Sequence, residues 1–301
     1  MSRLVILGSA NADHVMSFEY LPAPGQTLMS KDYRFEHGGK GANQAVACAR
    51  LCQAGNRIDF ICHLGADGIA DQMCQSWHDD GIHSDGITKV NGLSTGTAMI
   101  FVGANGENSI GVSLGANASM TTEALEKHQT LLAQADWFLV QLETPTTTVA
   151  QALKSAKKHG ANTLLNPAPA TVLGTEIYRW VDIITPNETE AEAITGIEVC
   201  DENTARLAAQ MLHQLGPETV IITLGSRGAY LSCSEFEGVV AGVDVKPVDT
   251  VAAGDTFNGA LMVALSENLA MRDAVEFANR AAAIAVTRPG AQRSIPYRHE
   301  L

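Results

Sequence analysis

The sequence contains few of the short motifs that identify metal and redox proteins. Its six cysteines form no Cys-x-x-Cys pair, and its nine histidines form no His-Glu-x-x-His run. Cys48 and Cys52 stand one helical turn apart in an apolar stretch. A zinc or redox role is conceivable for this pair, but small buried side chains are the more common role. His128 and His159 fall in predicted helices, and we expect both to face solvent.

Long hydrophobic runs are absent as well. No apolar segment has the length of a transmembrane helix, and the N-terminus shows no succession of basic region, hydrophobic region and cleavage site. We therefore expect a cytoplasmic protein. The formal net charge of −13 makes nucleic acid and anionic membranes poor partners, although a local basic groove could still exist.

Strand-like apolar runs alternate with amphipathic helical patterns along the 301 residues. The predicted strands are 3–8, 58–62, 137–140, 163–165, 182–184, 219–223 and 243–245. The predicted helices are 122–134, 146–159, 202–215, 255–268 and 271–287. This alternation predicts an α/β fold with a mainly parallel central sheet and helices on both faces. Because no linker or repeat interrupts it, we expect residues 1–301 to form a single domain.

Two segments break the alternation. Residues 13–36 look extended and carry Pro22, Pro24 and Gly25, whereas residues 94–113 are typical of two short strands joined at Asn105-Gly106. Together they predict a small antiparallel sheet that projects from the main one. The pattern fits either a lid over a site or a dimer interface, and it does not separate the two.

The segment from Asp249 to Thr256 places small residues before a predicted helix. Ala252, Ala253 and Gly254 would let a ligand approach the main chain, and the helix N-terminus behind them favours an anion. Asp255 in the same turn can be interpreted as an ordinary helix cap. It can also be interpreted as a base that removes a proton from an attacking alcohol, as phosphoryl transfer requires.

A second glycine-rich turn covers Gly38 to Asn43 and precedes a helix. It is not a Walker A loop, because Gly41 follows Lys40 where that loop has Ser or Thr. Residues 7–11 do not supply the glycine fingerprint of dinucleotide-binding proteins either, which argues against a Rossmann oxidoreductase. Lys40 and Asn43 could instead bind a polyol through hydrogen bonds.

In this order, the motifs resemble those of the ribokinase-like family of carbohydrate kinases. The similarity extends from Leu4 to about Pro296, and its motifs are 11–13, 38–43, 166–170, 187–190, 223–228 and 249–255. The wider family usually has glycine where Ala252 stands here. The resemblance implies an α/β kinase fold with a β lid and ATP-dependent phosphorylation of ribose at the 5-hydroxyl. It also implies a homodimer that pairs through the lids.

The resemblance further implies roles for individual residues. Asp255 would be the general base, and the N–H groups of Ala253 and Gly254 would stabilise the transferring phosphoryl group. The residues expected to bind the sugar, together with Asp255, are Asn11, Asp13, Gly39, Lys40, Gly41, Ala42, Asn43 and Glu143.

For the nucleotide, the resemblance implies that Asn187 and Glu190 organise Mg²⁺ and the phosphates. Further ATP contacts are expected from Thr223, Leu224, Gly225, Ser226, Arg227, Gly228, Gly254 and Asn279. The family often binds a monovalent cation, and the matching positions are Asp249, Val251, Ala285, Arg288, Gly290 and Ser294. We expect K⁺ there, because a hard cation suits main-chain and carboxylate oxygens.

Alternative functions remain open at this stage. A kinase for a nucleoside, fructose or a sugar acid would share the same motifs, although two carboxylates and one lysine suit a sugar acid poorly. A nucleoside would need an apolar slot that the sequence does not reveal. A non-enzymatic sugar sensor would be expected to have lost Asp255 or Gly254, and both are present.

Overall fold

A large sheet and a small one organise the computed structural model, which describes residues 1–105, 107–171 and 173–301. The strands are β1 Arg3–Leu7, β2 Asn11–Phe18, β3 Asp32–Gly38, β4 Arg57–Gly65, β5 Ile82–His83, β6 Ile87–Val90, β7 Gly96–Gly103, β8 Asn108–Ser113, β9 Trp137–Val140, β10 Asn162–Leu165, β11 Ile183–Ile184, β12 Thr219–Thr223, β13 Gly228–Ser232 and β14 Glu237–Ala241. The α-helices are α1 Lys40–Leu51, α2 Gly68–Asp79, α3 Thr122–Leu125, α4 Gln129–Ala133, α5 Thr146–Lys158, α6 Glu188–Thr195, α7 Glu202–Leu215, α8 Ala253–Ser266 and α9 Met271–Ala285.

The central sheet has the strand order β14-β13-β12-β11-β10-β9-β1-β4-β5, and β6 also pairs with β4. Pairing is parallel from β12 to β5 and antiparallel among β12, β13 and β14. Leu4 and Ile6 of β1 belong to one apolar cluster, and Val5 and Leu7 belong to another. Because successive side chains of a strand point to opposite faces, a core lies on each side of the sheet. This confirms the predicted α/β architecture.

The small sheet, called the lid sheet below, has the order β3-β2-β7-β8. Its outer pairs are antiparallel, and the central pair, β2 with β7, is parallel. The predicted junction at Asn105-Gly106 falls partly outside the described residues, since Gly106 is not among them. Its flanking strands do pair in the antiparallel sense expected of a hairpin.

Two local predictions were wrong. The segment 122–134 is not one helix, because a 3-10 turn at Glu126–His128 separates α3 from α4. The tighter turn changes the direction of the side chains that follow, and His128 is buried, whereas His159 is exposed as expected. Residues 243–245 form no strand; β14 ends at Ala241, and Pro247 has no N–H to donate to a ladder. No helix in the described part of the chain is both long and apolar enough to cross a membrane.

Candidate active site

The candidate site lies where several parallel strands end. Glu143 follows β9, Asn166 follows β10, Asn187 follows β11 and Thr223 ends β12, so the topology brings all four to one edge of the central sheet. This edge is where open α/β sheets usually bind ligands. The lid sheet lies over it, since Ala98, Ile110 and Val112 line the same cavity as these residues.

The glycine-rich turn before α1 is set by close packing. Gly39 has φ +90°, and a Cβ atom there would lie 2.7 Å from Ala10 Cα. A Cβ atom on Gly41 would lie 2.6 Å from the main chain of Gly8, and Ala42 N–H donates to Ser9 O at 2.9 Å. Gly41 and Ala42 therefore hold the turn against β1. Although predicted to bind the sugar, they do not line the cavity.

A polar cavity of about 390 Å³ gathers most of the predicted sugar residues. Those that line it are Asn11, Asp13, Gly39, Lys40, Asn43, Glu143 and Asp255. Asn43 Oδ1 is buried without a hydrogen-bond partner among the described residues. Because a buried acceptor is costly to leave unpaired, this atom is suited to a ligand hydroxyl.

Charge in this cavity is concentrated around Lys40. Burial alone would lower the pKa of Lys40, but the nearby carboxylates of Asp255, Glu143 and Glu190 outweigh it and raise this pKa. Glu143 Oε2 also accepts a hydrogen bond from the main-chain N–H of Lys40 at 3.1 Å. The ammonium group therefore stays protonated and compensates the acids that surround it.

Asp255 does not cap its own helix. The N-cap position of α8 is Ala252, and no side chain of the described residues caps it. Instead, Asp255 Oδ2 accepts from Asn43 Nδ2 at 2.9 Å and Oδ1 accepts from Gln44 Nε2 at 3.0 Å. The pKa of this buried carboxyl is raised by burial, an effect opposed by the charge of Lys40 and by both hydrogen bonds. A held, desolvated carboxylate of this kind suits a general base.

A chain of polar contacts connects Asp255 to the turn that precedes it. Gln44 Nε2 also donates to Asn166 Oδ1 at 3.0 Å, and Asn166 Nδ2 donates to Thr185 O at 3.1 Å. Thr185 Oγ1 donates to Asn258 Oδ1 at 2.5 Å, and Asn258 Nδ2 donates to Gly254 O at 2.8 Å. Sequence reasoning missed these positioning residues, because their roles depend on contacts between distant segments.

The turn at the start of α8 presents an open backbone. Ala252 has φ +60°, a left-handed conformation that is unfavourable for a residue with a Cβ atom. Gly254 N–H has no hydrogen-bond acceptor in the described part of the chain, whereas Ala253 N–H donates to Thr250 O at 3.3 Å. Gly254 N–H is thus available as a donor for an anion. Ala253 N–H would have to break its hydrogen bond to Thr250 O before it could donate to a ligand oxygen.

A second cavity, of about 290 Å³, lies on the other side of this turn. Of the predicted nucleotide residues, it is lined by Thr223, Gly225, Ser226, Gly228, Gly254 and Asn279. Leu224 is buried, and the Arg227 guanidinium pairs with Glu188, so neither lines it. The two cavities share Thr223, Thr250, Ala253 and Gly254, and they meet at the N-terminus of α8.

Asn187 and Glu190 form a capping box at the start of α6. Asn187 Oδ1 accepts from Glu190 N–H at 2.8 Å, and Glu190 Oε2 accepts from Asn187 N–H at 2.9 Å. Burial raises the pKa of Glu190. Both side chains line the polar cavity, and Glu190 Oε1 is not used by the box. No group of three or more His, Cys, Asp or Glu side chains within 1–105, 107–171 and 173–301 is arranged to hold a metal ion.

Two of the predicted cation residues, Val251 and Gly290, contact Asp249 directly. Its Oδ1 accepts from Val251 N–H at 3.1 Å, and its Oδ2 accepts from Gly290 N–H at 3.0 Å. Ser294 Oγ donates to Ala291 O at 2.7 Å in the same loop. These contacts fix the Asp249 carboxylate through two main-chain N–H groups, and a carboxylate oxygen is a ligand that suits a hard cation.

Two members of the predicted cation set are already engaged within the protein. The Ala285 carbonyl accepts from Arg288 N–H at 3.1 Å. The Arg288 guanidinium pairs with Glu300, so only its main-chain carbonyl remains as a possible ligand.

Asp13 provides a pH test of this electrostatic arrangement. Burial, together with the charges of Glu143, Glu36 and Asp255, raises the pKa of Asp13 from 3.8 to about 7. Between these values the folded state binds more protons than the unfolded state, so the contribution of Asp13 to stability falls as pH rises through this window. The difference in unfolding midpoint between Asp13→Asn and wild type should therefore shift by a few degrees in favour of the variant as the pH rises from 5 to 8. Thermal unfolding without ligand measures this, and a pH-independent difference would contradict it.

Comparison with known proteins agrees with the fold. The chain belongs to the pfkB family of carbohydrate kinases, whose sequence model matches residues 1–298. A ribokinase of Haemophilus influenzae is 46% identical over 297 residues, which cover 99% of this chain and 96% of that protein.

Solved structures show the same likeness. The crystal structure of a Thermotoga maritima ribokinase has a TM-score of 0.90 and 36% identity and covers 100% of this chain and 98% of its own. An Arabidopsis thaliana ribokinase complexed with ribose and ATP has a TM-score of 0.90 and 32% identity, with 99% and 96% covered.

Proposed function

We propose that the chain transfers the γ-phosphoryl group of ATP to the 5-hydroxyl of D-ribose and yields ribose 5-phosphate and ADP. The observation that carries this proposal is the meeting of two cavities at Gly254, with the buried carboxylate of Asp255 beside the open backbone turn. Similarity to ribokinases, one of them complexed with ribose and ATP, supports both the substrate and the cosubstrate.

The proposed reaction uses groups that the structure holds in place. Asp255 takes the proton of the ribose 5-hydroxyl while the oxygen of that hydroxyl bonds to the γ-phosphorus. The bond from this phosphorus to the ADP oxygen breaks. The N–H groups of Gly254 and Ala253 bind the oxygens of the transferring group. We propose that Glu190 Oε1 and Asn187 hold hydrated Mg²⁺, which neutralises phosphate charge when it is bound.

The polar cavity favours a neutral polyol over an acidic sugar. Asp13 and Glu143 can accept hydrogen bonds from hydroxyl groups, Lys40 donates, and Asn43 Oδ1 is an acceptor with no partner among the described residues. The second candidate is a nucleoside kinase, because Ile110 and Val112 add an apolar wall from the lid sheet that could contact a base.

Measurement of ADP release across ribose, deoxyribose, fructose, adenosine and pseudouridine tests the proposed function. We expect the highest kcat/KM with ribose, by about tenfold or more, because a site built to hydrogen-bond hydroxyls rejects substrates that leave its groups unpaired. A higher value with adenosine would instead support the nucleoside kinase. ADP release that is unaffected by any acceptor would contradict both functions.

We also propose that K⁺ binds beside Asp249 and stabilises the turn before Asp255. The fixed carboxylate of Asp249 supports this site. Activity should be higher in K⁺ than in Na⁺ or Tris at equal ionic strength, as measured by the same ADP assay. Equal rates in the three buffers would contradict the proposal.

The assembly and location form a last proposal. We propose that residues 1–301 form one kinase domain and pair as a homodimer through the lid sheet, where Tyr33 and Met99 are exposed apolar residues. Because the reaction consumes ATP, we propose that it takes place in the cytoplasm.

A further inference from the structure

Two charged residues connect the lid sheet to the loop formed by residues 290–294. Arg34 and Glu36 both lie on β3, and neither belongs to the predicted sugar, nucleotide or cation residues. Glu36 is buried, and its Oε2 accepts from Ala291 N–H at 2.8 Å. Arg34 Nε lies 2.7 Å from Glu36 Oε1, and Arg34 Nη2 lies 3.6 Å from Asp249 Oδ2. The lid strand thus contacts the loop directly and Asp249 through an ion pair.

The 290–294 loop is built to accept this contact. Gly290 has φ +92°, and a Cβ atom there would lie 2.6 Å from Glu36 Oε2. Its N–H donates to Asp249 Oδ2, while the next N–H, of Ala291, donates to Glu36. Two adjacent backbone donors therefore bind two carboxylates, one from the lid sheet and one from the segment that leads to Asp255.

The same two lid strands also carry a sugar residue. Asp13 of β2 stands directly opposite Glu36 of β3 in the antiparallel register. Side chains of directly opposed residues lie on the same face of a sheet and interact. The charge of Glu36 acts at Asp13, where it helps to raise the pKa of that carboxyl. A sugar that contacts Asp13 therefore also changes the electrostatic environment of Glu36 on the neighbouring strand.

We propose that Arg34 and Glu36 are positioning residues that couple sugar binding under the lid sheet to the order of the 290–294 loop and to the cation held beside Asp249. This inference rests on the proposed function for the identity of sugar and cation. Such coupling is reciprocal, so ribose should raise the affinity for K⁺ by the same factor by which K⁺ raises the affinity for ribose. A purely structural ion pair would stabilise the fold without linking the two ligands.

Amide hydrogen exchange of Gly290 and Ala291 tests the coupling without any turnover. In wild type, ribose alone should slow exchange of these two amides. Glu36→Gln keeps the side-chain shape and removes the charge, and the slowing by ribose should shrink at least about threefold, because a neutral acceptor forms the weaker hydrogen bond. Arg34→Gln, at a half-exposed position, should have the same effect, and it replaces Glu36→Gln in the test if that variant does not fold.

Thermal stabilisation by K⁺ provides the second readout. Ribose should lower the K⁺ concentration for half-maximal stabilisation about fivefold or more in wild type and less than about twofold in Glu36→Gln. Lys31→Gln is the matched control, because Lys31 forms an exposed lid ion pair with Glu19 that does not touch the loop.

The proposal is overturned if ribose leaves the Gly290 and Ala291 amides of wild type unchanged, or if Glu36→Gln responds to ribose as wild type does. Equal loss of the response in Lys31→Gln would also overturn it, since any weakening of the lid sheet would then suffice. Neither readout uses phosphoryl transfer, so a failed kinase assay with ribose bound contradicts the proposed function alone, whereas unchanged amides with ribose bound contradict this inference alone.

Discussion

Asp255→Asn should lower turnover by about a hundredfold or more while ribose binding survives, the scale of a lost general base. Both oxygens of Asp255 accept hydrogen bonds, so an asparagine there would bring its NH₂ group against one donor. Asn43 can relieve this conflict by rotating its amide, because its Oδ1 has no other partner within the described residues. The variant also removes a buried carboxylate, so we expect it to fold.

Steady-state kinetics and calorimetric titration with ribose measure the two halves of this prediction. Asp201→Asn is the matched control, because Asp201 caps α7 through its hydrogen bond from Thr204 N–H and asparagine caps a helix equally well. It should keep wild-type turnover. Near-wild-type turnover in Asp255→Asn would contradict the assignment of the base, and loss of ribose binding would indicate a positioning role instead.

The second large effect is expected at Gly254. Beyond its own helix and chain neighbours, no atom in the described part of the chain lies within 4 Å of the position that a Cβ atom would take, so packing does not require glycine. Alanine is the better helix former by about 1 kcal/mol. Gly254→Ala should therefore keep or raise the free energy of unfolding. Its methyl group would occupy space where the two cavities meet, and turnover should fall ten- to a hundredfold, on the order seen when reacting groups are displaced by about 1 Å.

Gly259→Ala in the same helix provides the opposite case. A Cβ atom there would lie 2.5 Å from Ala47 Cβ and 2.9 Å from Gln44 O, so this variant should lose stability through overpacking. Denaturant unfolding and the ADP assay compare the two variants directly. If Gly254→Ala were fully active, the phosphoryl group would not approach α8 as proposed.

The regular elements could be predicted closely from the sequence where the hydrophobic period is strong. The strands Trp137–Val140 and Thr219–Thr223 and the helix Glu202–Leu215 have the predicted bounds. Residues 243–245 misled the prediction because two valines around an aspartate imitate a strand, whereas in the structure both valines line the second cavity.

The candidate site was only partly accessible to sequence reasoning. The turn with Gly39 and the open turn with Gly254 could be recognised from their small residues, and the resemblance suggested their ligands. The contact of Gln44 with Asp255 could not, since it joins residues far apart in sequence through the packing of α1 on α8. From the sequence alone, Asp255 could also be a helix cap, because its partners on α1 depend on the tertiary structure. The contact of Glu36 with Ala291 likewise depends on where the lid sheet lies.

Identification of the product by ³¹P and ¹³C NMR tests the central claim most directly. Wild-type protein incubated with ATP, Mg²⁺, K⁺ and D-ribose should form ADP and ribose 5-phosphate in equal amounts, with the phosphate on the 5-oxygen. Phosphate on another oxygen, or ATP hydrolysis without a sugar phosphate, would contradict the account.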